Sequence, residues 1–473
     1  MRLTIRPTGM AAFSTLWTGQ LLSGMGTRMT QFALSIWVWK QTGSTTALAV
    51  MTFLAYGATV AASPFAGALI DRWRRRVSLA ASDAASLVVT VGVLLLFWSG
   101  SVEVWHLFLA NAVTGAFLAF QGPAYTSTIT LLVPKQGFPR ANAMMALSRS
   151  VPGVFAPVVA AALMALVDIE TVLLIDVVSY GFALVAVMLV MLPAPAAAGD
   201  GKKRRSIWRD AGYGFGFIRR HPGLLALQGA GLSIGVLAAM GWIVLTPLIM
   251  ISSGDDEVQV GIVNSVGAIG GILGGIVVTA IKPPARKIPV MFAAIISFAV
   301  FGRILLGLGD SLVMWSIGWF CAWLCIPVIE AYSQSIWQER VSQEVQGRVF
   351  AARQAISQLA LPVAMVITGP LVDDVFEPSM MPDGALAGIF GSLVGTGPGA
   401  GMSLIMLLSG VVGVLVGLSG FVFRRLRALD DSPSASDDPG GESGGPTADP
   451  AGGPDEPARE PGKPAVGRAG RSG

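Results

Sequence analysis

The sequence predicts an all-α polytopic membrane protein with 12 transmembrane helices arranged in two pseudo-symmetric six-helix halves. Three observations lead to this fold class. The chain is 53% hydrophobic and only 13% charged, whereas soluble domains carry roughly 25% charged residues. Apolar stretches recur along residues 13–423, and the loops between them alternate between basic and acidic.

The apolar stretches have the length that a membrane requires. A membrane-spanning helix needs about 20 mostly apolar residues. Windows of that size place spans at 13–38, 46–70, 78–99, 104–132, 141–166, 171–192, 223–250, 258–281, 288–308, 311–337, 347–372 and 402–423. The start of the chain is short and leads directly into a full-length span, so we expect no cleaved signal peptide.

The charged residues between the spans test this count independently. Basic residues concentrate in alternate loops, whereas the opposite loops are acidic and contain Lys40 as their only base. Cytoplasmic loops of membrane proteins carry an excess of Lys and Arg. The pattern therefore predicts a multi-pass protein of the cell membrane, plasma or inner, with both termini in the cytoplasm.

A faint internal repeat indicates two halves. The segment YTSTI at 125–129 recurs as YSQSI at 332–336, and in each copy a loop arginine opens the next span. Repeats of this kind occur in many membrane proteins with two related halves. We therefore assign residues 1–192 to an N-terminal half, 193–222 to a cytoplasmic linker, 223–427 to a C-terminal half and 428–473 to an acidic tail.

The segments outside the spans have distinct compositions. Between Ile207 and Arg220, apolar residues recur at helical spacing with arginines between them, which predicts an amphipathic helix on the cytoplasmic leaflet. A plain solvated linker is the alternative. A short helix is also expected at 385–394. Residues 430–473 hold nine acids and four bases and lack aromatic residues, Leu and Ile, so we expect disorder there.

The basic residues indicate a lipid partner. Residues 1–429 contain 28 bases and 19 acids, and the bases flank apolar helices. Anionic phospholipid of the inner leaflet is therefore the expected partner, and nucleic acid is not.

The residues that other functional classes need are absent from the sequence. Cys321 and Cys325 are the two cysteines, too few for a disulfide framework or a zinc site, and we expect them to be small apolar fillers. No phosphate-binding Gly-x-x-x-x-Gly-Lys-Ser/Thr motif occurs. A membrane enzyme needs a cluster of His, Asp or Cys at one face, yet His106 and His221 are predicted on opposite sides. We expect no enzyme activity, no cofactor and no metal.

The end of the second span carries a motif that resembles a family signature. A glycine, an acid and four arginines stand within residues 67–76, so a helix must end there and a basic loop must begin. The matching residues are Gly67, Leu69, Asp71, Arg72, Arg75 and Arg76. They resemble the loop between the second and third helices of the major facilitator superfamily, in which the loop latches the cytoplasmic ends of the two halves. A positive-inside flank of an ordinary membrane helix is the alternative.

Three further segments narrow the resemblance. The stretch 120–125 with Arg140-Ala-Asn142, the stretch 346–350 and the outer loop near 375–399 are similar to the macrolide-efflux and enterobactin-exporter branch. The resemblance covers about residues 10–425. It implies transport by alternating access and proton antiport, and two departures weaken the antiport. The arginine that such antiporters usually have in helix four is Asn111 here, and only small residues remain of their Gly-Pro-x-x-Gly-Gly signature in helix five, at 153–161.

Two spans of the N-terminal half carry polar stripes. In the first span Gln20, Gly24, Arg28, Gln31 and Ser35 share one helix face. Since an arginine in a span is costly in lipid, Arg28 should face an aqueous or protein interior. The fourth span offers Asn111, Thr114, Gln121 and Tyr125 on a similar stripe. We predict that Arg28, Gln31, Asn111 and Gln121 belong to a cargo-binding or coupling site.

The tenth span combines aromatic residues with a carboxylate. Trp319, Trp323, Glu330, Gln334 and Trp337 lie on one helix face. Aromatic faces attract organic cations and apolar rings, and a carboxylate away from water can exchange protons for cargo. We predict that Glu330 is the coupling or cargo-binding acid, aided by Trp319, Trp323 and Gln334. The alternatives are a permanent ion pair between Glu330 and an arginine such as Arg28, and ordinary core packing of the tryptophans.

Four further charged residues fall inside spans but near helix ends. Asp83, Arg149, Asp176 and Arg303 lie within about two turns of a predicted end. Snorkelling to the interface or capping explains each of them as well as function does.

The gating motif is expected to contact a helix end. Asp71 should favour the positive N-terminus of a helix, and the resemblance points to the helix after Arg348.

The resemblance and the residues together imply a secondary active exporter of amphiphilic small molecules, such as drugs, macrolide-like antibiotics, siderophores or peptidic natural products. An importer or a lipid-moving facilitator of the same fold is the first alternative. A receptor or scaffold that does not transport is the second. The expected partners are cargo and protons, and the expected oligomeric state is a monomer.

Overall fold

A computed structural model describes residues 9–70, 75–133, 138–190, 207–282 and 284–431. In the described part every regular element is a helix, which confirms the all-α fold class. The linker residues 193–206 and nearly all of the predicted acidic tail lie outside the described residues, so their predicted properties and the domain boundaries remain predictions.

The N-terminal half is built from six long helices. They are α1 (Gly9–Thr42), α2 (Thr45–Ile70), α3 (Arg75–Trp98), α4 (Val104–Leu132), α5 (Phe138–Leu166) and α6 (Ile169–Leu189). Each coincides with one of the first six predicted spans. A separate helix, α7 (Ile207–Arg220), then stands at the position of the predicted amphipathic helix.

The C-terminal half follows with more interrupted helices. They are α8 (Pro222–Ser253), α9 (Glu257–Ala280), α10 (Lys287–Ser297), α11 (Leu305–Leu308), α12 (Leu312–Arg340), α13 (Gln343–Gln358), α14 (Ala360–Pro370), α15 (Glu377–Ser379), α16 (Ala387–Val394), α17 (Ala400–Val422) and α18 (Arg424–Asp431). A π-helical segment, Phe298–Ile304, joins α10 to α11, and another, Leu371–Phe376, joins α14 to α15. The short helix expected at 385–394 is α16.

Ten helices of the described residues are long and apolar enough to cross a membrane. The two remaining predicted spans are α1, which carries the polar stripe, and α5, whose apolar part is the shorter segment Ser150–Leu166. All twelve predicted spans therefore correspond to helices, ten of them with the length and composition of a membrane span.

The two halves pack by the same rule. In the N-terminal half α1 packs on α5 and α6, α2 on α4, and α3 on α4 and α6. The equivalent pairs six spans later also pack: α8 on α14 and α17, α9 on α12, and α10 on α12 and α17. The halves meet through two equivalent pairs, α2 with α14 and α5 with α9. This is the predicted pseudo-symmetry, observed as helix contacts.

The helix α7 packs against α13 and α8. Its Ile218 is buried, whereas Arg219 and Arg220 are exposed. Helix α7 is therefore amphipathic, as predicted: its apolar side lies on the protein at Ile218, whereas Phe215 is exposed. Contact with a lipid leaflet remains a prediction.

Candidate functional site

The polar stripe of α1 divides between two environments. Arg28 is exposed although it lies in the middle of the helix, and protein atoms surround it on most sides. An accessible side chain enclosed in this way lines an internal opening. Gln31, one turn further on, is half-buried. Among the described residues Arg28 has no ion-pair partner, so the alternative of a permanent pair with Glu330 does not hold in this structure.

The predicted residues of α4 have different roles. Asn111 donates a hydrogen bond to the Leu107 carbonyl of its own helix at 2.9 Å. Gln121 instead reaches two other helices: its Nε2 donates to Gln20 Oε1 at 3.0 Å and to Asp83 Oδ1 at 3.0 Å. Gln121 is half-buried and belongs to a hydrogen-bond network within the N-terminal half, and its role in cargo binding or coupling remains a prediction.

The acid of that network is Asp83 on α3, whose exposed fraction is 0%. Gln20 Nε2 donates to Asp83 Oδ2 at 2.8 Å, so both carboxylate oxygens accept from side-chain amides. Snorkelling and capping, the sequence-based explanations for Asp83, are wrong because the side chain points into the helix bundle. Position along a helix does not reveal this direction.

Asp176 on α6 is the second buried acid of this half, with an exposed fraction of 1%. Ser179 Oγ lies 3.3 Å from Asp176 Oδ1, and hydroxyl groups of α1 and α3 surround the carboxylate. The interpretation of Asp176 as a capping or snorkelling residue is also wrong, for the same reason.

Three tryptophans form an aromatic cluster in the C-terminal half. The rings of Trp319 and Trp323 on α12 are 6.1 Å apart, and Trp242 on α8 is 6.2 Å from the first and 5.9 Å from the second. Trp319 is only 2% exposed, whereas Trp242 is 44% exposed. The cluster therefore extends from the buried core to an accessible surface of the helix bundle.

A buried arginine lies behind this cluster. Arg303 on the π-helical segment is 1% exposed, and its guanidinium carbon is 5.5 Å from the Trp319 ring and 4.9 Å from the Phe298 ring. Its Nη2 donates to the Ala238 carbonyl at 3.0 Å. A Cβ on Gly241 would collide with the guanidinium, so α8 needs a glycine there. Snorkelling of Arg303 is therefore also wrong.

Glu330 and Gln334 lie further along α12, beside an arginine that the sequence reasoning missed. Arg353 on α13 donates hydrogen bonds to Gln334 Oε1 and, at 3.2 Å, to Ser333 Oγ. Its guanidinium is 5.3 Å from the Trp337 ring and acts electrostatically on the exposed Glu330 carboxylate. Nothing in the helix periodicity links α13 to α12, because their approach is a tertiary contact.

The tryptophans of α12 therefore do not share one role. Trp319 and Trp337 are buried, which agrees with the core-packing alternative. Trp323 is half-buried and contacts the exposed Trp242. Trp242 was not predicted, since a single aromatic residue in an apolar helix gives no signal of its own.

At the face that the charge pattern predicts to be extracellular, here called the outer face, the two halves touch. The Asp373 carboxylate accepts from Ser44 Oγ at 2.8 Å, Thr45 N at 3.2 Å and Thr46 N at 2.9 Å, at the N-terminus of α2. A Cβ on Gly369 would lie 2.6 Å from the Thr46 Cα. Lys40 and Glu257 add an ion pair. We call these contacts the outer closure.

The gating motif at the opposite face is only partly described. Asp71 and Arg72 lie outside the described residues, as do the surroundings of Gly67 and the side chains of Arg75 and Arg76. Arg348 is described, and its guanidinium carbon is 4.2 Å from the Tyr213 ring of α7. The predicted contact between Asp71 and the helix after Arg348 therefore remains a prediction.

The described residues hold no group of three or more His, Cys, Asp or Glu side chains that could bind a metal ion. Cys321 and Cys325 are free thiols within α12.

The sequence profile of the Major Facilitator Superfamily matches residues 16–365. Macrolide efflux protein A of Streptococcus pyogenes is 23% identical over 378 residues, covering 77% of this chain and 90% of that protein. The multidrug efflux pump Tap of Mycobacterium tuberculosis is 24% identical over 317 residues, covering 65% of this chain and 74% of the pump.

Solved structures show the same fold. A bacterial homologue of the human lysosomal transporter Spinster has a TM-score of 0.63 at 16% identity, covering 89% of this chain and 97% of its own. The nucleoside transporter NupG has a TM-score of 0.65 at 11% identity, covering 87% of this chain and 100% of its own.

Proposed function

Because this chain belongs to the Major Facilitator Superfamily of membrane transporters, we propose that it is a secondary active exporter of amphiphilic small molecules. It works by alternating access, with the proton gradient as its energy source. Two relatives, a macrolide efflux protein and a multidrug efflux pump, support the outward direction and the cargo class.

The aromatic cluster is the observation that carries this proposal. Aromatic rings contact apolar and cationic groups without demanding one exact shape, which suits varied amphiphilic cargo. Trp323 and the exposed Trp242 offer such a surface, and the buried Trp319 supports it from behind. Arg28, Gln31 and Asn111 are the proposed polar contacts from the N-terminal half.

Glu330 is the proposed acidic contact of the cargo. Its carboxylate is exposed and lies near Arg353, which also binds Gln334. When the cation beside an acid has other hydrogen-bond partners, the acid can bind a cargo amine and the cation is not left unpaired. Glu330 and Gln334 thus form the polar part of a site whose apolar part is the aromatic cluster.

Alternating access needs one gate at each face. At the outer face, the outer closure holds α2 against α14 in this structure. At the inner face, we propose that Gly67, Asp71, Arg72, Arg75 and Arg76 form the second gate, with Asp71 approaching the helix that contains Arg348. A carboxylate at a helix N-terminus is favoured by the helix dipole, so both gates would use the same interaction.

The environment of the proposed exporter is the cell membrane, with both termini cytoplasmic. Arg219, Arg220, Arg424, Arg425 and Arg427 are exposed, at the face with the basic loops. Clusters of this kind attract anionic phospholipid through their charge. A monomer is the proposed oligomeric state.

Accumulation of labelled compounds in cells tests this function. Cells that express the intact chain or Glu330→Gln are loaded with labelled erythromycin or with ethidium, with and without collapse of the proton gradient. We expect lower accumulation in cells with the intact chain than in cells with an empty vector. This difference should vanish when the proton gradient is collapsed, and it should be smaller in cells that express Glu330→Gln.

Asp310→Asn is the matched control, because this acid of the same half is exposed at the outer face, away from α12's polar residues. It should behave as the intact chain does. Equal accumulation of both probes in cells with the intact chain and with an empty vector contradicts broad amphiphile export. Higher accumulation than in the empty-vector cells indicates import.

A further inference from the structure

Two buried acids in the N-terminal half take no part in the proposed cargo site. Asp83 and Asp176 are 0% and 1% exposed. In the described part of the chain neither of them forms an ion pair with Lys, Arg or His. Burying a lone carboxylate is expensive unless it is hydrogen-bonded, so their surroundings decide what these two acids can do.

Asp83 is held in a ring of three side chains from three helices. Gln20 of α1 and Gln121 of α4 each donate to one carboxylate oxygen, and Gln121 also donates to Gln20. All donors in the ring are amides, and Asp83 only accepts. If Asp83 takes up a proton, one oxygen becomes a donor and one amide must turn. Protonation therefore changes the contacts between α1, α3 and α4.

Asp176 lies in a pocket of hydroxyl groups. Ser179 contacts it from α6, Thr27 and Thr30 approach from α1, and Thr90 approaches from α3. The Thr30 hydroxyl is buried beside the carboxylate without a hydrogen bond of good geometry. The pocket therefore has an unused donor and acceptor with which a second protonation state of Asp176 can be accommodated.

Tyr180 stands between the two acids. Its hydroxyl is 2.8 Å from Thr27 Oγ1 and lies beside Ser86, three residues after Asp83 on α3. Both Asp83 and Asp176 act on it electrostatically. Asp176 lies about 10 Å from the outer end of α6, and Asp83 lies about 12 Å from the opposite end of α3, at 1.5 Å per residue. The acids thus stand at different depths, and the hydroxyl groups of Thr27, Tyr180 and Ser86 lie in the region between them.

We propose that Asp83 and Asp176 are the proton-carrying groups of this chain, and that Thr27, Tyr180 and Ser86 pass a proton between them. This inference rests on the proposed proton coupling and assigns it to residues outside the cargo site. Each hydroxyl accepts a proton on its oxygen and releases its own to the next group. The net change is one proton moved from one carboxyl group to the other carboxylate.

The groups that face the two acids favour this role. Asp83 faces Gln20 of α1, Gln121 of α4 and Tyr180 of α6. The polar side chains that face Asp176 bear hydroxyl groups and come from α1, α3 and its own helix, and Gly26 of α1 packs against it. Arg28 directly follows Thr27 in the sequence, but its side chain is exposed. Since no ion pair must break, either acid can change charge within the bundle.

Glu330, the acid that the sequence favours for coupling, differs on each of these points. It is exposed, and Arg353 acts on it electrostatically. A proton taken up there would compete directly with cargo for the same carboxylate. The structure therefore separates the two tasks: protons are carried within the N-terminal half and cargo is bound mainly by the C-terminal half.

The first test needs no cargo. The purified full chain in lipid is titrated while infrared difference spectra record the carboxyl groups that gain a proton. Asp83→Asn and Asp176→Asn should each remove one titrating carboxyl band. Asp168→Asn is the matched control, because Asp168 is the exposed N-cap residue of α6 and makes no side-chain capping bond. This variant should keep both bands of the buried acids. Spectra of both buried-site variants that equal the wild-type spectrum overturn the proposal.

The second test asks whether these protons drive the conformational change. Spin labels at Ser101 and Asp310, both exposed at the outer face, report the distance between the halves in a chain without native cysteines. The distance distribution should depend on pH in the wild type and lose most of that dependence in Asp83→Asn and Asp176→Asn. A wild type without pH response, or variants with the full response, overturns the carrier role.

Tyr180→Phe distinguishes a proton path from a structural contact. The variant keeps the ring and removes only the hydroxyl, so both carboxyl bands should titrate to the same end points. After a pH jump, the appearance of the second band should slow about tenfold or more, since a positioned proton-transfer group contributes at least that much. An unchanged rate overturns the path. Absence of export in the cell assay leaves these outcomes intact, because none of them uses cargo.

Discussion

The two halves of this protein pack their helices alike but fill their interiors with opposite chemistry. Among the described residues, the buried charged groups of the N-terminal half are two carboxylates held by amides and hydroxyls. The buried charged group of the described C-terminal half is a guanidinium held by aromatic rings and a backbone carbonyl. A shared arrangement of helices therefore does not impose a shared interior, because helix contacts depend on size while polarity depends on a few side chains.

The two interiors are therefore stabilised in different ways. The N-terminal interior depends on hydrogen bonds, since its acids would otherwise be buried without partners. The C-terminal interior depends on shape, since Arg303 fits only where α8 has a glycine and α12 a tryptophan. The halves should therefore respond differently to changes of volume and of polarity.

The largest effect is expected from a change of volume in the C-terminal half. Gly241→Ala places a methyl group where the Arg303 guanidinium lies. Overpacking of this kind destabilises by about 3 kcal/mol. Cys321 and Cys325 are the only cysteines of the chain and both belong to α12. Their reactivity with a fluorogenic maleimide on heating should therefore report unfolding of this half at a lower temperature.

Gly231→Ala is the control for that experiment. It lies on the same helix, and an added Cβ meets nothing within 4 Å. Alanine is the better helix former, so the thiols of this variant should react no earlier than those of the wild type. Equal behaviour of the two variants would contradict a shape-determined interior.

The next largest effect is expected from a change of polarity in the N-terminal half. Gln121→Leu keeps the volume but removes the donor to Asp83 Oδ1. Loss of a hydrogen bond to a charged group costs about 2–3 kcal/mol. Hydrogen exchange followed by mass spectrometry should show faster exchange in α1, α3 and α4, whereas the thiols of α12 should stay protected. Gln354→Leu, at an exposed position, is the control.

A double variant sharpens this result. Asp83→Asn removes the charge that needs the donor. Adding Gln121→Leu to this variant should therefore destabilise the N-terminal half less than Gln121→Leu does in the wild type. If Gln121→Leu destabilises the half equally in both backgrounds, the charge of Asp83 does not explain the hydrogen bonds around it.

A smaller effect is expected where the two halves meet. Asp373→Asn removes the charge that caps α2 at the outer closure. A cap and its hydrogen bonds contribute about 1–2 kcal/mol, so the outer-open population should rise about tenfold. The spin-label pair at Ser101 and Asp310 measures this population. Asp374→Asn, at the exposed neighbouring position, should leave it unchanged.

The smallest effect is expected from the other contact of the outer closure. Lys40 and Glu257 form an ion pair in which the lysine side chain is 44% exposed. Exposed pairs contribute less than about 1 kcal/mol and weaken further in salt. Lys40→Met should therefore shift the distance distribution less than Asp373→Asn does, and high salt should remove the difference from wild type. A larger shift than that of Asp373→Asn would reverse the ranking of the two contacts.

Most of the fold could be predicted because a membrane imposes simple constraints. Each span must be long, apolar and helical, and charges must collect on one side. The positions of α1 to α6 follow from these rules. The π-helical segment around Arg303 does not, since its backbone irregularity depends on packing against α12 and α17.

The candidate site was predictable only in part. Arg28 and Glu330 stand out in sequence because a charge in an apolar span is rare, and both are accessible within the protein. Arg353 and Trp242 gave no such signal, because their importance comes from contacts with α12. For Asp83, Asp176 and Arg303 the sequence left snorkelling or capping open beside a functional role, and their burial excludes the first alternative. Distance from a helix end does not reveal which way a side chain points.

The sequence by itself determined the helices and the identity of the buried charges, because hydrophobicity and charge are properties of single residues and short windows. The tertiary structure decided their partners: amides for Asp83, hydroxyls for Asp176 and aromatic rings for Arg303. Partners come from helices far apart in the chain, and only the packing of those helices brings them within bonding distance. That packing therefore decides what each charge can do.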